Sequence, residues 1–142
     1  MSAGSIIVDT GPLVALLNRR EQHHEWVKAA LRDVRPPLLT CEAVIAEASY
    51  LLRRLDVGAR ALMALLARQA VKISFRLDEE HEAVARLMTK YADVPMSLAD
   101  ACLVRMSENL TRARVMTFDA DFRVFRRVGR QVVPVTMPAG GA

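Results

Sequence analysis

The sequence predicts an α/β domain built on a mostly parallel sheet of roughly five strands, with helices on both faces. Two observations carry this reading. Short apolar, β-branched runs alternate along the chain with longer stretches of helical spacing, a pattern that builds parallel sheets covered on both sides. The chain has 142 residues, 52% of them hydrophobic, with no low-complexity tract, no internal repeat and no linker. That length suits one domain with a full core; its bounds are read as 1–137, with a loose tail at 138–142.

The elements follow in order. Residues 5–8, Ser-Ile-Ile-Val, read as a buried strand ending at Asp9. Thr10, Gly11 and Pro12 mark a helix start, and residues 13–18 carry the helix. Residues 23–34 place Trp26, Val27, Ala30 and Leu31 at helical spacing until Arg35-Pro36-Pro37 breaks the pattern. Residues 38–40 form a second strand, and Thr40 is expected to cap a helix over 41–55. A helix over 59–70 leads to a third strand at 71–75. The next helix spans 77–91, with Asp78 as its expected cap, and Ser97 opens another to about residue 110. Strands at 114–117 and 131–135 complete the sheet. Ligands of such sheets bind beyond the carboxyl ends of the strands, so the chemistry is expected there.

The net charge is +4, and only Lys28, Lys72 and Lys90 of the twenty basic residues are lysines. Arginine suits bidentate contact with phosphate. No apolar run is long enough to span a membrane, and the N-terminus lacks the features of a signal peptide, so a cytoplasmic protein is expected. Cys41 and Cys102 stand apart among apolar or small neighbours and read as buried free thiols.

Four acids stand out. Asp9 follows the first strand and Asp119 the fourth; either could instead serve only its local turn, as a helix cap or an Asx turn. Glu47 lies on the stripe formed by Val44, Ala48, Leu51 and Leu55, which would aim a carboxylate inward. That is costly unless it is paired or metal-bound. The alternative is an edge position, or pairing with Arg54. Asp100 completes Ser97-Leu-Ala-Asp100, the form of a capping box, yet that same turn sits near the sheet edge where the other acids emerge. Carboxylates gathered together repel, and a cation removes the penalty. An all-oxygen set favours Mg²⁺ or Mn²⁺. Setting the four acids aside leaves 20 − 12 = +8 on the rest of the surface, an acidic pocket on a basic body.

In the order Asp9-Thr10, Glu47, Ser97-Leu-Ala-Asp100-Ala and Thr117-Phe-Asp119-Ala-Asp121-Phe122, the chain resembles the PIN domain family, and especially its VapC toxin subgroup of type II toxin–antitoxin systems, from about residue 6 to 135. The resemblance implies a three-layer α/β/α sandwich, Mg²⁺- or Mn²⁺-dependent endoribonuclease activity, a homodimer and a cognate antitoxin. Asp9, Glu47, Asp100 and Asp119 match the family's acidic positions, Thr10 and Thr117 its hydroxyl positions, and Asp121 an outer acid. Asp9 and Asp100 are then the main metal ligands. Ser97 stands where many similar sequences carry a further acid, which bears on a second ion; Asp93 is read as a loop cap rather than its substitute.

Other features have plainer readings. His23 and His24 read as surface residues, Trp26 as packing, and Met63, Met88, Met96, Met106 and Met116 as core fillers. Arg53-Arg54 and Arg123, Arg126 and Arg127 form either a solvated face or an RNA contact. No strip of interleaved aromatics supports base stacking. A phospho-acceptor domain is excluded, because no acceptor Asp directly follows the third strand and no Lys follows Lys90. A non-catalytic PIN-like module that binds RNA or a partner and a housekeeping nuclease without an antitoxin stay open, as does a nuclease acting on DNA or structured RNA, since two-metal chemistry does not require the 2′-hydroxyl.

Overall fold

A computed structural model describes residues 4–139. Strands β1 (Ile6–Val8), β2 (Leu38–Thr40), β3 (Val71–Ile73) and β4 (Arg114–Met116) are joined by a short last strand at Val135–Thr136. The five pair in parallel throughout, in the order β3-β2-β1-β4 and then the last strand. All three residues of β1 are buried, as the central strand of a doubly covered sheet requires.

Helices α1 (Thr10–Leu17) and α2 (His24–Leu31) link β1 to β2; α3 (Glu42–Leu51) and α4 (Gly58–Ala67) link β2 to β3. Helices α5 (Leu77–Lys90) and α6 (Leu98–Asn109) then cross from β3 back over the sheet to β4. Right-handed crossovers running in opposite directions put α1–α4 on one face and α5–α6 on the other. One apolar cluster fills the space between, with Ile7, Leu13, Leu103, Met116, Phe122 and Phe125 shut off from solvent. The strand order reverses between β1 and β4, and the carboxyl ends of those strands flank the crevice where ligands of such sheets bind.

The structure departs from the sequence reading in several places, each with a local cause. The run at 131–135 is divided. Gln131–Val132 (β6) turns back on Arg126–Arg127 (β5) as an antiparallel ribbon, and Val135–Thr136 (β7) joins the main sheet. Thr40 does not cap α3: its hydroxyl donates to the Val8 carbonyl at 2.9 Å, tying β2 to β1, and the cap position falls on Cys41. Helix α5 is capped at Arg76 with no side-chain bond, and Asp78 pairs with that arginine instead. Helix α1 does begin at Thr10, as Thr10-Gly11-Pro12 signalled, and the Asp9 side chain caps it by accepting from the Thr10 N–H.

His24 is not a surface residue. Its imidazole is buried, with Nδ1 2.6 Å from the Ala15 carbonyl, which pins α2 to α1. Met106 and Met116 are core residues, but Met63 and Met88 are exposed on the outer faces of α4 and α5. Arg127 is buried, and its guanidinium donates to the carbonyls of Ser107 and Thr111 where α6 ends. A cation there complements the helix dipole and satisfies carbonyls left over by the last turn. Cys41 and Cys102 are buried free thiols in contact; the hydrogen bond to Cys41, with burial, pushes the Cys102 thiol up. Pro138, expected in a loose tail, is buried; 140–142 lie outside the described residues.

Candidate active site

Hydrogen bonding between β1 and β4 continues one residue past β1, where the Asp9 N–H donates to the Met116 carbonyl at 3.0 Å. This sets the Asp9 side chain at the mouth of the crevice. One of its oxygens accepts from the Thr10 N–H and the other from the Thr117 hydroxyl, both at 2.7 Å. Thr117 directly follows β4, and the same hydroxyl accepts from the Asp119 N–H at 3.0 Å. One threonine thus locks Asp9 to the loop that carries Asp119. The Asp119 carboxylate in turn accepts from the Asp121 N–H at 2.9 Å. Asp121 therefore touches the site through its backbone, not through its own acid.

Glu47 reaches the crevice from α3 and accepts the Thr10 hydroxyl at 2.8 Å. It is exposed rather than inward, and it does not pair with Arg54 among the described residues. The buried stripe of α3 runs through Val44, Ile45, Ala48 and Leu52, while Leu51 is 52% exposed. Asp100 arrives on the first turn of α6, with Ser97 and Asp100 exchanging side-chain and backbone hydrogen bonds at 3.0 Å. The local roles of Asp9, Asp100 and Asp119 are therefore real. They are also the means by which each acid is aimed.

Asp9, Glu47, Asp100 and Asp119 line one pocket of about 490 Å³, together with Thr10, Gly11, Leu51, Ser97 and Phe118. Burial pushes the Asp9 carboxyl up to about 6 against the opposing hydrogen bonds of Thr117 and Thr10, and the charges of Asp100 and Asp119 add to the rise. Burial likewise raises Asp100, helped by the charges of Asp119 and Glu47. Like charges gathered in one pocket are a penalty that a bound cation relieves.

Among the described residues no three acidic, imidazole or thiol side chains stand together as a ready-made cage. Each carboxylate is turned onto a neighbouring donor, and in Glu47, Asp100 and Asp119 these bonds engage one oxygen. All four acids line the pocket with oxygen donors, so the chemistry of the set suits a hard oxygen-seeking ion.

A second hollow, of about 270 Å³, lies between α5, α6 and the β5–β6 ribbon, lined by Arg86, Lys90, Arg105, Glu108 and Arg126. Arg105 there is already held by Glu80 and Glu108, so the acid lining this hollow is paired with a cation, unlike those of the first. The sequence reading missed Gly11, Leu51 and Phe118 as pocket residues. Gly11 and Phe118 directly neighbour motif residues, and that adjacency was the available signal.

The fold and site define a parallel α/β protein with a pocket of carboxylates at its topological switch point, where ligands of such sheets bind. More narrowly, the chain belongs to the PIN domain family, whose family model matches residues 6–130. It is 30% identical over 127 residues to Ribonuclease VapC26 of Mycobacterium tuberculosis, an alignment covering 87% of this chain and 94% of that one. Its fold matches the crystal structure of M. tuberculosis VapC20, described as a Sarcin-Ricin loop cleaving toxin. The TM-score is 0.74 at 24% identity, over 92% of this chain and 99% of the other.

Proposed function

We propose that the chain is a Mg²⁺- or Mn²⁺-dependent endoribonuclease and the toxin of a type II toxin–antitoxin pair. The observation that carries this reading is the convergence of Asp9, Glu47, Asp100 and Asp119, from four separate segments, on one pocket. Membership of the PIN family and likeness to a VapC ribonuclease support it.

Bound in the pocket, the ion would supply Lewis-acid chemistry, activating water and steadying charge on the phosphate. Asp9 and Asp100 would be its main ligands, with Glu47 and Asp119 completing the set. Thr117 and the Thr10 N–H fix Asp9 in one orientation, and Ser97 does the same for Asp100. The Thr10 hydroxyl keeps exposed Glu47 turned toward the pocket. Such outer contacts hold acids in position for a cation, as they do at metal centres generally. Because Asp9 holds its proton up to about pH 6, protons compete with the ion, and ion binding tightens as pH rises through that value. The positive charge elsewhere on the surface draws in the RNA backbone.

In the cell the protein acts in the cytoplasm as a homodimer restrained by a cognate antitoxin. No helix among the described residues is long and apolar enough to cross a membrane.

Purified protein should cut a labelled single-stranded RNA in Mn²⁺ or Mg²⁺, stop in EDTA and resume when Mn²⁺ is restored. Cutting that persists in EDTA would contradict the metal assignment. Equal cutting of a DNA strand of the same sequence would contradict the choice of RNA.

A further inference from the structure

Although no aromatic strip exists in the sequence, the fold assembles one beside the acids. Phe118 lies between Thr117 and Asp119 in the chain and lines the same pocket. Its ring meets that of His23 at 4.6 Å between centroids, tilted by 44°, and that of Trp26 edge-on at 5.9 Å. Both partners come from the start of α2, far away in sequence. The third support is Gly11. A Cβ built on that glycine would stand 2.9 Å from Phe118 Cδ2, so the ring rests directly on backbone.

Three supports from two segments, the start of α2 and the first turn of α1, hold Phe118 half-buried at the pocket wall. The neighbouring residue, Asp119, is one of the four acids. A phosphate held through a cation on those acids would carry its adjoining nucleotide within reach of the ring.

We propose that Phe118 is the stacking surface for the nucleobase beside the cleaved phosphate, with His23 and Trp26 as positioning residues that hold its ring. The substrate this implies is an RNA strand whose base at the cut is unpaired and free to leave its own stack. RNA is commonly recognised in this way, through splayed bases laid on aromatic rings, and such stacking tolerates any base because each has a π face. The assignment rests on the ribonuclease reading above, and its test is chosen to separate the two.

The cut on a mixed-sequence single-stranded RNA is first mapped. The same RNA is then prepared with an abasic nucleotide at each position in turn. Wild type, Phe118→Leu and Phe118→Tyr are compared by kcat/KM in Mn²⁺ and by fluorescence anisotropy in Ca²⁺, with far-ultraviolet circular dichroism and thermal melting reporting the fold.

One abasic position flanking the cut should cost wild type roughly tenfold in both readouts, in line with base–aromatic stacking. Phe118→Leu should lose about the same on intact RNA and nothing further on that abasic RNA, and Phe118→Tyr should recover most of the loss. Losses that multiply, or the lack of any sensitive flanking position, would overturn the stacking surface while leaving the nuclease intact. An anisotropy cycle that behaves as expected in a protein that never cuts would support the stacking surface and remove the nuclease reading.

Discussion

Asp100→Asn is expected to keep the fold and abolish ion-dependent cleavage. Asp100 does two jobs at one position. It accepts the Ser97 N–H in the capping box that starts α6, and it faces the pocket. Asparagine retains a carbonyl oxygen that accepts the same N–H, so the helix start should survive. The charge, however, is gone. Loss of a charged ligand should exceed the roughly 10–100-fold cost typical of removing an outer partner at a metal site. The variant should melt within a few degrees of wild type in EDTA yet cut RNA at least about 100-fold more slowly. Near-normal cleavage would return Asp100 to a purely capping role.

Asp9→Asn should separate stability from activity even more sharply. Burial lifts the folded-state pKa of Asp9 from 3.8 to about 6. The folded state thus holds this proton more tightly than the unfolded chain does. Below pH 3.8 both states are protonated and the group is neutral in the balance. As pH rises from there, the unfolded chain ionises first and folding loses ground, until the full penalty is reached above about 6. The gap corresponds to a penalty on the order of 3 kcal/mol in metal-free protein. Asparagine removes the charge but keeps only one of the two acceptor oxygens, so part of this figure is lost with the Thr117 bond and Asp9→Asn in EDTA should melt a few degrees above wild type near neutral pH. The two should converge as the medium becomes acidic. Cleavage should fall by at least about 100-fold, as for Asp100. A variant less stable than wild type at neutral pH would show that Asp9 serves the fold as a charge, contrary to the role assigned here.

Much of this site was readable because strand ends announce themselves. Ile6-Ile7-Val8 and Val115-Met116 are short apolar runs followed closely by Asp9 and Asp119, and the parallel sheet places both acids at one edge. Asp100 was readable through its capping motif, since the start of α6 lies at that edge as well. Glu47 was found for the wrong reason. Residues 43–55 are apolar on nearly every side, so spacing alone left the phase of α3 open, and the stripe through Leu51 and Leu55 was chosen over the buried one through Ile45 and Leu52.

The division of 131–135 was hidden because alternation identifies a strand but not the sheet it joins. The burial of His24 depends on a carbonyl of α1, and the aromatic wall depends on contacts between distant segments. Neither leaves a local trace. A thermal titration cannot locate an ion, but diffraction can. Crystals grown with Mn²⁺ should give anomalous density between the carboxylates of Asp9 and Asp100, with Glu47 and Asp119 turned toward it. Density elsewhere on the molecule, with these four acids still bound only to Thr10, Thr117, Ser97 and Asp121, would contradict the shared cation on which the assigned chemistry depends.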